Sequence, residues 1–289
     1  MTTFQHYYAL TKPGIIRGNL ITATAGFFLA SGGTIQLGLY IAILSGLALT
    51  IASACICNNY LDRRIDQNME RTASRGLASG AIPIQNALLL AAVLGTVGLC
   101  MLIWYVNLLV AALGIFAFIA YVIVYGAAKR RSVHGTVIGS ISGALPPVAG
   151  YCAVSGHIDL AAVLLFLIVT AWQMPHFYAI ALYRMSDYKA ASIPVLPLVK
   201  GTRTTQLHIL YYIGLYIVAV AGLYLFGYAS LVYLLINVGL GLAWLMIGIR
   251  GLQIRSSAQI VAWGRQTFGF SLLVITGFCG SLILDAYIR

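Results

Sequence analysis

The sequence predicts an all-α fold: a polytopic membrane helical bundle of about nine transmembrane helices. Three observations carry this expectation. Of the 289 residues, 61% are hydrophobic and only 8% charged, with a mean hydropathy of +0.94, whereas a soluble globule carries roughly a quarter charged residues. Apolar runs recur at about the 20-residue length that crosses a bilayer as helix, and alternating segments of about ten residues, the mark of an outer-membrane barrel, are missing. Thirty glycines and seven prolines suit helices that approach one another closely in lipid. Nine spans of this length leave no room for a soluble domain, so residues 1–289 are expected to form a single intramembrane domain.

The first two spans, 15–33 and 36–57, are separated by the uncharged turn at Ser31–Leu37 and followed by a polar loop, 58–83. Spans 84–104 and 107–127 meet at Trp104–Asn107, and the basic segment 128–135 follows them. Spans 136–155 and 160–182 flank Ser155–Asp159, after which a second large loop runs over 183–206. Spans 207–227 and 229–249 meet at Gly227–Ala229, and segment 250–266 leads to the last span, 267–287. Segments 1–14, 58–83, 128–135, 183–206 and 250–266, with the helix ends beside them, hold every Lys and Arg except Arg289. The four opposite turns hold none, so the positive-inside rule puts the N-terminus in the cytoplasm and the C-terminus on the other side.

The net charge of +11 then serves orientation and anionic lipid head groups, and nucleic acid is not an expected partner. Cys55, Cys57, Cys100, Cys152 and Cys279 are odd in number and lack CxxC spacing, so they read as packing residues rather than a disulfide or zinc framework. Met1 to Gly14 has the form of neither a signal nor a transit peptide, which fits a bacterial inner-membrane protein.

Of the six acidic residues in the chain, Asp62, Asp66 and Glu70 fall together after the second span, in Asn58-Asn59-Tyr60-Leu61-Asp62-Arg63-Arg64-Ile65-Asp66. On a helix that continues past the span, Asn58, Asp62 and Asp66 form one stripe with Cβ atoms about 5–6 Å apart. Each step of four drifts about 40° around the axis, which carries Glu70 away from the stripe. Carboxylates at i,i+4 repel unless a cation sits between them, and an all-oxygen set without His or Cys favours Mg²⁺, completed by water and substrate phosphate. The plain alternative is pairing with Arg63, Arg64, Arg71 and Arg75 on a solvated loop. The scarcity of acids elsewhere, and the extension of the stripe into the span by Asn58, favour a site.

A second constellation closes the sixth span: Trp172-Gln173-Met174-Pro175-His176-Phe177, then Tyr183 and Asp187, again four apart, then Lys189, Lys200 and Arg203. Pro175 is expected to break the helix where it lines a cavity, so Gln173 and His176 should face the interior. The bland reading of His176 is a hydrogen-bonded structural histidine.

The Asn58 to Asp66 segment resembles the first aspartate-rich motif of the UbiA-type intramembrane prenyltransferases. Trp172 to Phe177, Asp187-Tyr188-Lys189 with Ile193-Pro194-Val195-Leu196-Pro197 and Lys200-Gly201, and Lys129-Arg130-Arg131 with Gly143-Ala144 and Pro146-Pro147 resemble the haem-farnesylating branch of that superfamily. The similarity runs from about Leu10 to the last span, and Val133-His134-Gly135 departs from the pattern.

The resemblance implies a central cavity with two acidic motifs above it, farnesyl diphosphate and haem B as substrates, and haem O as product. It implies that Asp62 and Asp66, with Asn58, hold Mg²⁺ on the diphosphate, and that Asp187 with Tyr183 serves the second cluster. Arg71, Arg75, Lys189, Lys200 and Arg203 then bind phosphate oxygens, His176 contacts the haem as axial ligand or hydrogen-bond partner, and a haem A synthase or terminal oxidase takes the product. Composition and spacing alone leave open a prenyltransferase acting on a quinone precursor. They also leave a cation transporter using the three aspartates, although acids at span ends among basic residues suit transport poorly.

Overall fold

The computed structural model describes residues 2–70, 72–254 and 256–288. Among these the chain is helical with no strand. A short helix α1 (Thr3–Leu10) precedes α2 (Pro13–Ser31), α3 (Leu37–Asp66), α4 (Ile84–Tyr105) and α5 (Leu108–Ile119). A π-helical stretch at Ala120–Tyr125 leads into α6 (Gly126–Arg131), then α7 (Gly135–Gly143), α8 (Leu145–Ser155) and α9 (Leu160–Tyr183). The short α10 (Met185–Ala190) and α11 (Leu196–Val199) precede α12 (Gly201–Leu225), α13 (Leu231–Gly251) and α14 (Ser257–Ile288).

Eight segments among the described residues are long and apolar enough to cross a membrane. The ninth expected span is α2, whose 19 residues carry Arg17 and Asn19 in their first turns, and this polar start keeps it below the other eight. Arg289, the basic residue that ends the expected topology, lies outside the described residues.

Five elements differ from the sequence expectation. Span 136–155 is two helices rather than one, because Pro146 and Pro147 open α8 where their missing N–H groups cost nothing, ending α7 at Gly143. Pro175 does not break the sixth span: α9 runs unbroken from Leu160 to Tyr183 with Pro175 buried inside it. Helices α12 and α14 begin at Gly201 and Ser257, earlier than the apolar runs at 207 and 267, since a helix continues past the hydrocarbon once its hydrogen-bond ladder is set. Segment 120–125 takes up one extra residue as a π-turn, a device frequent at functional sites.

The bundle closes on small residues and buried aromatics. Helices α2 and α8 cross where a Cβ on Gly26 would overlap the Pro147 carbonyl oxygen and one on Gly150 the Ala23 carbonyl oxygen, so the backbones touch as lipid-embedded helices do when small residues face each other. Tyr216, Tyr233, Trp244 and Phe278 fill the α12, α13 and α14 side of the core. Large apolar side chains such as Leu89, Val218 and Leu225 are exposed on the outer face, where acyl chains would cover them.

Candidate active site

Helix α3 builds the centre of the site. Its Leu47, Thr50, Ile51, Ala54 and Cys55 line a cavity of about 490 Å³, within the roughly 300–1,000 Å³ that encloses a small organic ligand. One turn further along the same helix come Asn58, then Asp62 and Asp66, all buried at 2%, 6% and 5% exposure. The expected oxygen stripe is therefore present, and it continues α3 beyond the residues that line the cavity. Glu70 lies past the end of α3 and is exposed, outside the stripe as anticipated.

Four cations from three places in the chain converge on the stripe. Arg75 Nη1 donates to both oxygens of Asp66 at 3.0 and 2.9 Å, held there by a loop in which Thr72 Oγ1 donates to the Asp66 carbonyl and Gln67 Nε2 to the Ala78 carbonyl. Asp62 is paired with Lys129 and, at 3.0 Å, with Arg130. Gly135 makes that approach possible: a Cβ there would sit 2.7 Å from Lys129 Cα, so the departure Val133-His134-Gly135 ends in a tight turn that backs the basic cluster. Lys12 Nζ donates to Asn58 Oδ1 at 2.7 Å from a left-handed backbone (φ 52°) just before Pro13, a conformation sparsely populated for a non-glycine residue and enriched at functional sites. Burial, followed by repulsion from Arg75 and Lys129, brings the Lys12 ammonium from its ordinary 10.5 down to about 8.

Four cations around two carboxylates leave a surplus of two positive charges, which an anion would balance. Arg63 and Arg64 are not among them: Arg63 turns back to the Tyr60 carbonyl at 2.7 Å and over the Tyr60 ring. Among the described residues, the simple local pairing of neighbouring acids and arginines is thus realised only at Arg75. Arg71 lies outside the described residues. Lys12, Lys129 and Arg130 are site residues that the acidic motif alone does not reveal, because they arrive from 46, 67 and 68 positions away.

The second constellation is only partly assembled. Helix α9 stops at Tyr183, since Arg184 leaves helical geometry (φ −115°, ψ 24°), and Asp187 sits on α10. The four-residue spacing therefore does not place Tyr183 and Asp187 on one helix face. Tyr183 packs against Phe268, while Asp187 Oδ2 is buried without a hydrogen-bond partner, 3.8 Å from Arg184 Nη1. Lys189 and Lys200 are exposed, and Arg203 donates to the Leu252 carbonyl at 2.8 Å.

Gln173 and His176 both line the cavity, as expected, although the helix carrying them is continuous. Gln173 is held by the Ser140 and Val169 carbonyls at 3.2 Å each. His176 lies between Trp172 and Phe268, with ring centroids 4.9 and 4.8 Å away. Tyr121 joins the two halves: it lines the cavity, and its hydroxyl is 3.4 Å from Asn58 Oδ1.

Among the described residues no three His, Cys, Asp or Glu side chains converge as a closed metal cage. Two carboxylates and an amide oxygen on one helix face make instead a partial, all-oxygen donor set, the kind Mg²⁺ uses when water and a substrate phosphate complete its shell. Chemically, the arrangement offers an anion site with donors for a hard cation, next to an apolar, aromatic-lined chamber.

A sequence model of the UbiA prenyltransferase family matches residues 19–273. The chain is 46% identical over 271 residues to the protoheme IX farnesyltransferase of Protochlamydia amoebophila (strain UWE25), covering 94% of this chain and 95% of that one. It is 47% identical over 284 residues to the protoheme IX farnesyltransferase of Escherichia coli O1:K1 / APEC, covering 98% and 95%. Its fold is similar to a solved digeranylgeranylglyceryl phosphate synthase (TM-score 0.82, 16% identity, all of both chains). It is also similar to a UbiA homologue from Archaeoglobus fulgidus bound to GPP and Mg²⁺ (TM-score 0.64, 15% identity, 94% and 99% covered).

Proposed function

The chain belongs to the UbiA prenyltransferase family, and from that membership we propose that it transfers the farnesyl group of farnesyl diphosphate to a vinyl group of haem B, with addition of water, giving haem O and diphosphate. One structural observation carries the reaction class: over its last three turns α3 passes from lining an apolar cavity to presenting Asn58, Asp62 and Asp66 among four cations. A prenyl diphosphate has this same division into an apolar tail and a polyanionic head. The choice of haem as acceptor rests on the relatives at 46% and 47% identity.

Asp62 and Asp66, with the Asn58 amide oxygen, would hold Mg²⁺, and Asp187, whose Oδ2 accepts no hydrogen bond among the described residues, would serve a second cluster beside Tyr183. When bound, the metal supplies charge neutralisation on the diphosphate. Arg75, Lys129 and Arg130 then turn from the carboxylates, and Lys12 from the Asn58 amide oxygen, to phosphate oxygens, with Arg71, Lys189, Lys200 and Arg203 approaching from the two loops. Their charge stabilises the diphosphate as the C1–O bond breaks and both bonding electrons leave with oxygen. Tyr121, Trp172 and Phe118 line the chamber and offer aromatic faces to the allylic cation while keeping water away. The vinyl π pair of haem forms the new C–C bond, and the cation left on the acceptor takes a water oxygen, which releases one proton. His176 contacts the acceptor.

The bacterial relatives support an inner-membrane location; residues 1–289 would form one domain there, with the basic loops cytoplasmic and the C-terminus opposite, a reading that rests on the distribution of Lys and Arg along the sequence. A haem A synthase or terminal oxidase would take the product. The test is incubation of the purified protein with haem B, farnesyl diphosphate and Mg²⁺, followed by mass analysis of the porphyrin. A hydroxyethylfarnesyl porphyrin is expected; prenylation of a quinone precursor with haem left unchanged would overturn the acceptor assignment.

A further inference from the structure

His176 is held by a clamp centred on one residue of α14. Ser271 is fully buried; its backbone carbonyl accepts the Trp172 indole N–H at 2.7 Å, and its hydroxyl oxygen lies 2.7 Å from His176 Nδ1. Trp172 and Phe268 cover the imidazole. The position and tilt of the ring are therefore fixed from three directions.

The same bonds settle where its proton lies. Ser271 Oγ is 2.6 Å from the Phe268 carbonyl oxygen, and a carbonyl can only accept, so the single hydroxyl hydrogen of Ser271 is committed to that bond. Ser271 Oγ then faces His176 Nδ1 with lone pairs only, and Nδ1 must be the donor. A neutral imidazole has one N–H, so Nε2 is left unprotonated. No hydrogen-bond partner for Nε2 is found among the described residues, and the ring borders the cavity.

We propose that Ser271 is a positioning residue that fixes His176 as the Nδ1–H tautomer, so that Nε2 presents a lone pair to the cavity as an axial ligand for the iron of the porphyrin acceptor. This rests on the haem reading of the cavity and narrows it, since an Nε2 without hydrogen can bind iron but cannot donate to a propionate. The Nδ1–H···Oγ bond is the second-shell contact that commonly orients and strengthens a histidine ligand.

Haem B titration of the purified full-length protein, followed by its absorption spectrum, tests this directly. Ser271→Ala should weaken haem affinity by roughly 10- to 100-fold, as loss of such a contact does, and broaden or shift the haem band; Ser271→Thr, which keeps the hydroxyl, should restore both. His176→Ala should remove the ligand signature, and imidazole added to His176→Gly should rebuild it. Farnesyl diphosphate affinity, measured on the same samples, should stay unchanged and reports that each variant is folded. Should Ser271→Ala not fold, the iron–histidine stretch of ferrous haem in the unmodified protein, absent in His176→Ala, carries the test alone. Haem O formation with a haem spectrum indifferent to His176→Ala overturns this inference and leaves the parent reading intact, whereas an unmodified protein that binds no haem overturns both.

Discussion

The two ends of the bundle hold their carboxylates in different ways. At one end Asp62 and Asp66 face the movable side chains of Lys129, Arg130 and Arg75. At the other, Asp285 accepts the Ser230 backbone N–H on both oxygens at 3.1 Å, and Asp159 accepts the Ala162 N–H at 3.1 Å and the Tyr151 hydroxyl at 2.7 Å. A backbone amide at a helix start cannot leave its acceptor without unwinding the helix, so Asp285 and Asp159 are caps. Lysine and arginine side chains can swing away and hand the carboxylate to a metal while they follow the phosphates. Rarity is common to both ends; the kind of partner separates a site from a fastening.

The strongest way to break that comparison is to neutralise the exchangeable acids. Asp62→Asn or Asp66→Asn should lower farnesyl transfer by more than about 100-fold, beyond the 10- to 100-fold typical for losing an outer partner of a metal site, with the protein still inserted and folded. Product formation at limiting Mg²⁺ and a thermal melt on the same preparation check this, and near-normal turnover would remove the metal assignment. Next in size, Arg75→Met or Lys129→Met should raise the KM for farnesyl diphosphate roughly 10- to 100-fold, since a hydrogen bond to a charged group is worth about 1.5–3 kcal/mol.

The opposite end sharpens the contrast. Asp285→Ala leaves the Ser230 N–H without its acceptor and should cost about 1–3 kcal/mol of stability, while kcat/KM per folded molecule stays at the unmodified value. Calorimetry with activity normalised to folded protein measures both, and a fall in kcat/KM without a fall in stability would erase the distinction between the two ends.

The acidic stripe was legible because Asn58, Asp62 and Asp66 repeat every four residues, and helix geometry turns that spacing into one face. The spans were legible because the bilayer length is written into the apolar runs. Tyr183 and Asp187 have the same spacing and do not share a face, since α9 ends between them and only the backbone at Arg184 records that. Lys12, Lys129 and Arg130 carried a visible topological reason to be basic, which hid their second role; their partners lie far away in sequence, where no local period reaches. Pro175 misled in the other direction. It removes one hydrogen bond from Ala171, and packing inside the bundle is enough to keep the helix continuous through it.

Lys12 offers the smallest effect and the finest test of the exchangeable end. Its ammonium, buried beside Arg75 and Lys129, is held at about 8 against an ordinary 10.5, so it is charged below pH 8 and neutral above. If it leaves Asn58 for a phosphate oxygen on substrate binding, kcat/KM for farnesyl diphosphate should fall as pH rises through about 8, by at most about tenfold per unit, because that ratio reports the pKa of the free enzyme. In Lys12→Met the break should vanish and the profile run flat at the lower level. Stability moves the other way. With its pKa depressed in the folded state, Lys12 carries its full burial cost below pH 8, and between about 8 and 10.5 the unfolded chain binds more protons than the folded one, so folding gains with rising pH over that window. A loss of kcat/KM alongside a steady or rising melting temperature therefore identifies titration of Lys12, and a loss tracking the melting temperature would assign the profile to unfolding and detach Lys12 from the diphosphate.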